Sequence, residues 1–206
     1  MKKVWNIIKK YKFAIFLLII TLIRHFLVCH MPLWALSSEL YDDNMMYDMA
    51  NNIFCGKWLG AYTSNTLVKG AFFPLLIATI SKFGFSYISV MSLIYIASCV
   101  FFVYTIKDLF KSKKSLAVIY IILLFNPVSY ASWTFQRLYR NGITLVQVLF
   151  IIGSMFALYQ NRYKSKKVML IYSIISGLVL RNILANKRRW NMDSSICPCC
   201  NDINNN

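Results

Sequence analysis

The run "KFAIFLLIITLIRHFLVC", residues 12–29, decides the class of fold because it is almost wholly apolar. A membrane-spanning helix needs roughly 20 such residues. The lysine-rich start resembles a signal peptide, but no small-x-small cleavage site follows, so we predict an uncleaved first span. Arg24 and His25 interrupt the run. A charge at mid-bilayer costs roughly 2.5–3.5 kcal/mol on insertion scales. We therefore expect Arg24 to snorkel toward the membrane surface, to find a partner within the helix bundle, or to meet a lipid phosphate in the outer half of the membrane.

The composition of the whole chain agrees with a membrane protein. Of the 206 residues, 58% are hydrophobic and only 15% are charged, whereas about a quarter of an ordinary soluble domain is charged. The net charge of +16 comes from basic residues that flank the apolar runs instead of forming one face. The tendency of cytoplasmic loops to be basic explains this arrangement, so we expect no nucleic-acid partner.

The distribution of apolar runs predicts an all-α polytopic membrane protein with about five transmembrane helices. The predicted spans are about 13–30, 87–106, 115–132, 143–160 and 167–184. Basic residues cluster before the first span, after the second and after the fourth. These clusters predict a cytoplasmic N-terminus, with residues 31–86 on the extracytoplasmic side. We treat residues 1–184 as one transmembrane module and residues 185–206 as a separate tail.

The first outer loop, residues 31–86, holds most of the acidic charge. Four of the seven acidic residues lie there: Glu39, Asp42, Asp43 and Asp48. "DDNMMYDMANNIFCG" starts with a good helix N-cap and ends at a glycine, which predicts a helix with one apolar side. A second segment, "FFPLLIATISKF", is too short to span comfortably. We expect both segments to be interfacial helices. The simplest interpretation of the acids is a capped, solvated helix start.

The layout resembles the N-terminal part of a bacterial GT-C type glycosyltransferase, of the protein O-mannosyltransferase and RgtA-like group. The resemblance covers roughly residues 1–180. It is carried by the Asp-Asp pair and by "GKWLGAY", "TLVKG" and "RLYR", with "FNPVSYASWTFQRLYRNGIT" after the third span. It implies an incomplete GT-C-like module and the transfer of a sugar from a polyprenyl-phosphate carrier to an acceptor hydroxyl at the outer face.

The resemblance also implies roles for individual residues. The first-loop aspartate of the family removes the proton of the acceptor hydroxyl, and here that role falls on Asp43 or Asp42. The leaving lipid phosphate needs positive charge, for which we expect Arg137, Arg140 and Lys69. The alternative for these cations is anchoring to lipid headgroups.

A metal ion is a weaker expectation. Carboxylate oxygens suit a divalent cation such as Mg²⁺ or Mn²⁺, so Asp48 together with Asp42 is the candidate site. Apart from this cation, the sequence indicates no cofactor.

Two other classes of function remain open. A small channel or transporter needs charged residues in facing spans and helix breaks at mid-membrane. Pro127 breaks the third span, but the other spans carry almost no ionisable groups. A structural or assembly protein would use the acidic loop to bind a partner. An acidic helix that lies beside Arg137 and Arg140 favours the transferase over this last class.

The tail, residues 185–206, differs in composition from the rest of the chain, because it is basic and then rich in cysteine and asparagine. Its basic cluster at 187–189 follows the fifth span on the outer face, against the charge pattern, and "CPCC" lacks the paired spacing of a structural zinc site. Reading the last two bases of each codon together with the first base of the next gives the frame shifted by one base. In that frame the Trp190 and Asn191 codons must give Gly, and the Met192 and Asp193 codons must give Trp. The shifted frame then continues into apolar residues. A divergent but genuine tail is the alternative to an out-of-frame, disordered one.

We predict a one-base insertion, or a two-base loss, near codon 180. The chain is then an N-terminal fragment without catalytic competence. Sequencing the gene and its downstream region is the measurement. We expect a long open frame that continues the membrane pattern in the shifted register. A downstream frame in register with the 206 residues would contradict the prediction.

Overall fold

A computed structural model describes residues 2–33, 41–61, 70–129, 136–138, 140–162 and 166–193; for 2–11, 41–42, 168 and 182–193 it describes the backbone alone. Within these ranges the regular elements are all helical. They are α1 (Lys2–Cys29), α2 (Tyr41–Phe54), α3 (Phe72–Lys82), α4 (Tyr87–Ile106), α5 (Lys113–Leu124), α6 (Asn141–Asn161) and α7 (Lys166–Asp193), with 3₁₀ turns at Lys107–Leu109 and Pro127–Ser129. The expectation of an all-α fold is confirmed.

Among the described residues, three helices are long and apolar enough to cross a membrane, at Lys12–Cys29, Tyr87–Leu109 and Asn141–Asn161. They correspond to the first, second and fourth predicted spans. The third predicted span, 115–132, is only partly helical. α5 has 12 residues, or about 18 Å of helix, against a hydrocarbon core of about 30 Å. It stops before Pro127, and the side-chain oxygen of Asn126 accepts a hydrogen bond from the backbone N–H of Val128 at 3.0 Å, which stabilises the turn.

The fifth predicted span falls within α7, whose apolar stretch Met169–Arg181 is shorter than the three long helices. The α7 backbone remains helical to Asp193 and so includes part of the predicted tail. Residues 194–206 lie outside the described residues. Of the five predicted spans, three thus correspond to helices of membrane length and two to shorter helices.

The helices are apolar outside and partly polar inside. Exposed side chains on α1 include Leu18, Leu22 and Phe26, each more than half accessible. The buried side chains include polar ones: Arg24, Ser92, Ser98, Thr105, Ser129, Gln147 and Ser154. Water would oppose this arrangement, whereas a lipid surround favours it, because lipid solvates apolar faces and polar groups must find partners inside the bundle. The fold is that of a membrane protein.

The packing brings the basic clusters to one end of the bundle. Arg24, near the end of α1, contacts Ser92, near the start of α4, so these helices run antiparallel. In α6, a Cβ on Gly153 would lie 2.9 Å from the Phe101 ring and 3.2 Å from the Thr105 hydroxyl, near the end of α4. The close approach explains the glycine at this crossing. We call this the basic end; it carries Lys12, Lys107, Lys111, Lys113, Lys114, Arg162 and Lys166.

The two helices of the first loop pack against each other and against the bundle. Met46 and Ala50 of α2 are buried in the same apolar cluster as Phe73 and Ile77 of α3. The predicted apolar side of α2 therefore exists, and protein covers it. The interfacial position expected for both helices does not follow from this packing.

Arg24 ties α1 to the rest of the bundle and is only 1% exposed. Its guanidinium donates from Nη1 to the Ser92 hydroxyl at 2.7 Å and from Nε to the Leu124 carbonyl at 3.3 Å. Its Nη2 donates to both the hydroxyl and the carbonyl of Ser129, at 3.2 and 3.3 Å. The guanidinium carbon also lies 4.9 Å from the centre of the Tyr95 ring. The partner expected for Arg24 within the bundle is thus a set of neutral groups on three segments.

We expect Arg24→Met to lower the free energy of unfolding by about 3 kcal/mol, because the Leu124 and Ser129 carbonyls would lose a charged donor in an apolar interior. The measurement is thermal or denaturant unfolding of the purified chain in detergent micelles. Arg181→Met is the matched control, since Arg181 is exposed, and we expect it to stay within about 0.5 kcal/mol of wild type. Unchanged or increased stability of Arg24→Met would mean that the desolvation of the guanidinium outweighs its hydrogen bonds.

Candidate functional site

The site is built around Asp43, in the first turn of α2. Its side chain is buried, with 6% of the residue exposed. Met46 and Ala50 follow it at three and seven positions, so all three lie on the same side of the helix, and this side faces the protein. The carboxylate is therefore carried inward by the apolar face of α2. This is not the solvated helix start that is the simplest interpretation of the sequence.

Arg137 lies against this carboxylate. Its Nε donates to Asp43 Oδ2 at 2.8 Å, with 19% and 8% of the two side chains exposed. A short charge-assisted hydrogen bond of this kind is stronger than a neutral one and is weakly screened by salt when it is buried. It joins α2 to the segment before α6, across 94 positions of sequence. The structure thus brings together one of the two candidate bases and one of the three candidate phosphate-binding cations.

Neighbouring segments hold the Arg137 region in place. The Tyr87 hydroxyl, at the start of α4, lies 3.5 Å from the Arg137 carbonyl oxygen, to which it donates. The Gln136 amide donates to the sulfur of Met31 at 3.3 Å, just after α1. Elements from four parts of the chain therefore meet at the end of the bundle opposite the basic end. Tyr87 and Met31 are absent from the sequence-based site because neither residue type signals a polar site by itself.

Two buried polar atoms at this end have no hydrogen-bond partner within the described part of the chain. They are Asp43 Oδ1, an acceptor, and Arg140 Nη1, a donor. A buried polar atom without a partner costs free energy, on the order of 1–3 kcal/mol, so such atoms often mark a place where a ligand or water binds. Asp43 Oδ1 is therefore an acceptor on a carboxylate already oriented by Arg137, and Arg140 Nη1 is a donor on a cationic side chain just before α6.

The other predicted residues are less well placed or lie outside the described residues. Asp48 is exposed and stands five positions from Asp43, about 140° around the helix, so it points away from the site. Of Asp42 the structure describes only the backbone, in α2, and Lys69 and Glu39 lie outside the described residues. No group of three or more His, Cys, Asp or Glu side chains that could hold a metal ion occurs within the ranges that the structure describes. The Asp42–Asp48 cation site stays a prediction.

Comparisons of the chain with protein-family models, with curated proteins and with solved structures found no match in any of the three.

We expect Asp43 and Arg137 to be energetically coupled. Arg137→Gln should lower the free energy of unfolding by about 2–4 kcal/mol, because it leaves a buried carboxylate without its cation. The double variant Asp43→Asn with Arg137→Gln should lose less than the sum of the single losses, by at least about 1 kcal/mol in a double-mutant cycle. Asp48→Asn, which removes an exposed carboxylate from the same helix, is the control and should change stability little. Additive losses would contradict the coupling.

Proposed function

We propose that the chain is the N-terminal part of a membrane glycosyltransferase of GT-C type. The reaction is the transfer of a sugar from a polyprenyl-phosphate donor to an acceptor hydroxyl at the outer face of a bacterial plasma membrane. The observation that carries the proposal is the buried Asp43 carboxylate, oriented on one oxygen by Arg137 and without a partner on the other in the described part of the chain. The resemblance of the first outer loop to that group of enzymes supplies the reaction.

The finer membrane arrangement is part of the proposal. The basic end faces the cytoplasm and the Asp43 end faces outward, as the excess of lysine at one end favours. α5 and α7 complete five spans, with α5 crossing together with the turn at Pro127–Ser129. α2 and α3 lie at the outer interface, where a polyprenyl phosphate headgroup and a water-soluble acceptor can both be reached.

In the proposed reaction Asp43 accepts a proton. The acceptor hydroxyl attacks the anomeric carbon of the sugar, its proton passes to Asp43 Oδ1, and a new carbon–oxygen bond forms. The bond between the anomeric carbon and the phosphate oxygen breaks, and its electron pair stays on the lipid phosphate. Arg137 orients the carboxylate through Oδ2. Arg140 Nη1, buried and without a partner among the described residues, is the donor we assign to the departing phosphate.

A structural role is the second candidate, and the burial of the Asp43–Arg137 pair favours it. In that case the ion pair only holds α2 against the segment before α6, and the protein assembles with a partner. The two functions differ in one respect that can be measured. If Asp43 is the proton acceptor, its loss reduces sugar transfer even when the protein still folds. If the ion pair is only structural, its loss affects transfer only by lowering the stability of the fold.

The test uses two forms of the protein. The 206-residue chain is titrated with a polyprenyl-phosphate sugar to measure donor binding, and the protein continued in the shifted frame is assayed for transfer. We expect Asp43→Asn to reduce transfer by about 10²–10⁴-fold and to leave donor binding within about twofold of wild type, because the amide keeps the shape of the carboxylate but is a poor base. Arg140→Gln should weaken donor binding at least about tenfold.

Asp48→Asn is the control for loss of an acidic residue, and unfolding measured on each variant separates a catalytic loss from a structural one. If Asp42→Asn abolishes transfer and Asp43→Asn does not, Asp42 is the base. If both variants transfer normally, the proposed mechanism is wrong. A loss that follows stability alone would favour the structural role.

A further inference from the structure

A groove of about 600 Å³ lies between α1, α4 and α5, away from the Asp43 site. Pockets that hold small molecules have volumes of about 300–1,000 Å³. Its walls are mostly aliphatic and aromatic and include Leu17, Val100 and Leu116. Such a surface has little to offer a polar ligand, and its apolar lining fits a hydrocarbon chain.

The groove has a depth close to that of one membrane leaflet. It extends from Phe13 to Thr21 on α1 and from Tyr104 back to Ile96 on α4, which is about 12 Å of helix rise in each case. Half of a bilayer hydrocarbon core is about 15 Å. At the deep end the Thr21 hydroxyl and the Tyr120 hydroxyl lie 2.7 Å apart in a hydrogen bond, so these polar groups are satisfied within the protein.

The other end of the groove is cationic. Lys113 belongs to the lining itself. The ammonium of Lys107 lies 3.9 Å from the centre of the Tyr104 ring, which also lines the groove. This contact holds a second positive charge near the mouth. An anion is therefore favoured at the mouth, while a hydrocarbon is favoured along the walls.

We propose that the groove holds one acyl chain of an anionic phospholipid from the leaflet at the basic end, with the lipid phosphate bound by Lys113 and Lys107. A further protein helix over the groove is a poorer occupant, because it would bury the Lys113 ammonium and would need to bring a carboxylate with it. A zwitterionic lipid carries a positive group beside its phosphate and gains less from the two lysines. The proposal is independent of the transferase reaction, because the groove and the Asp43 site lie at opposite ends of the bundle.

The probes are phosphatidylglycerol and phosphatidylcholine with identical acyl chains. Each is titrated into the purified 206-residue chain in non-ionic detergent, and bound lipids are counted by native mass spectrometry. We expect one phosphatidylglycerol to be retained at least about fivefold more tightly than phosphatidylcholine, since one lysine near a lipid phosphate contributes about a fivefold gain in affinity. The preference should decrease as salt is raised.

Two pairs of variants locate the lipid. Lys113→Gln should reduce the preference for phosphatidylglycerol about fivefold, while Lys114→Gln, at the neighbouring exposed lysine outside the lining, should leave it unchanged. Ala14→Trp fills the groove from α1 and should abolish retention of the first lipid. Ile19→Trp places the same bulk on an exposed α1 position outside the lining and should retain the lipid.

Three outcomes would overturn the proposal. Equal affinity for phosphatidylglycerol and phosphatidylcholine would show that the lysines do not select an anionic lipid. Retention by Ala14→Trp would locate the lipid elsewhere. A dimer that Ala14→Trp dissociates would identify a second copy of the chain as the occupant. If Ala14→Trp fails to fold, the Lys113 and Lys114 pair still decides the question, because both positions are exposed.

Discussion

The buried guanidinium of Arg24 is the constraint around which the described bundle is organised. A cation inside an apolar bundle is costly unless its N–H groups find acceptors. Ser92, Leu124 and Ser129 provide those acceptors, and they belong to α4, to the end of α5 and to the turn after it. α1 could therefore not slide or rotate against its neighbours without leaving the charge unsatisfied. Apolar packing in lipid specifies position weakly, because lipid tails solvate the same side chains, so this polar contact sets the register.

The register set by Arg24 has consequences at both ends of the bundle. Toward the basic end, the three helices that Arg24 connects, α1, α4 and α5, also line the apolar groove with lysines at its mouth. Toward the other end, the Pro127–Ser129 turn that Arg24 binds precedes the segment carrying Arg137 and Arg140. The same contact that anchors α1 thus also anchors the start of the connection that leads to the Asp43 site.

The Asp43 site illustrates how an apolar face can position a charged group. α2 buries Met46 and Ala50 against the bundle, and Asp43, one turn earlier on the same face, is carried inward with them. A carboxylate in that position needs a cation, and Arg137 meets one of its two oxygens. The second oxygen and Arg140 Nη1 are left without partners in the described part of the chain. The two oxygens of one carboxylate thus have different surroundings: one contributes to the packing of α2, and the other is an acceptor without a partner among the described residues.

The sequence alone was enough for the membrane class, the helical fold and the positions of the three described helices of membrane length, because each depends on local composition and on the span length that a bilayer demands. It predicted five spans, however, and the other two correspond to shorter helices. The predicted span at 115–132 ran past Asn126 and Pro127, although these residues are a local signal of a turn, and α5 ends before them. Only the tertiary structure decided that Asp43 faces inward and meets Arg137, and that neutral groups surround Arg24. These contacts join residues about a hundred positions apart, and no local pattern specifies which distant segments meet when several helices pack together.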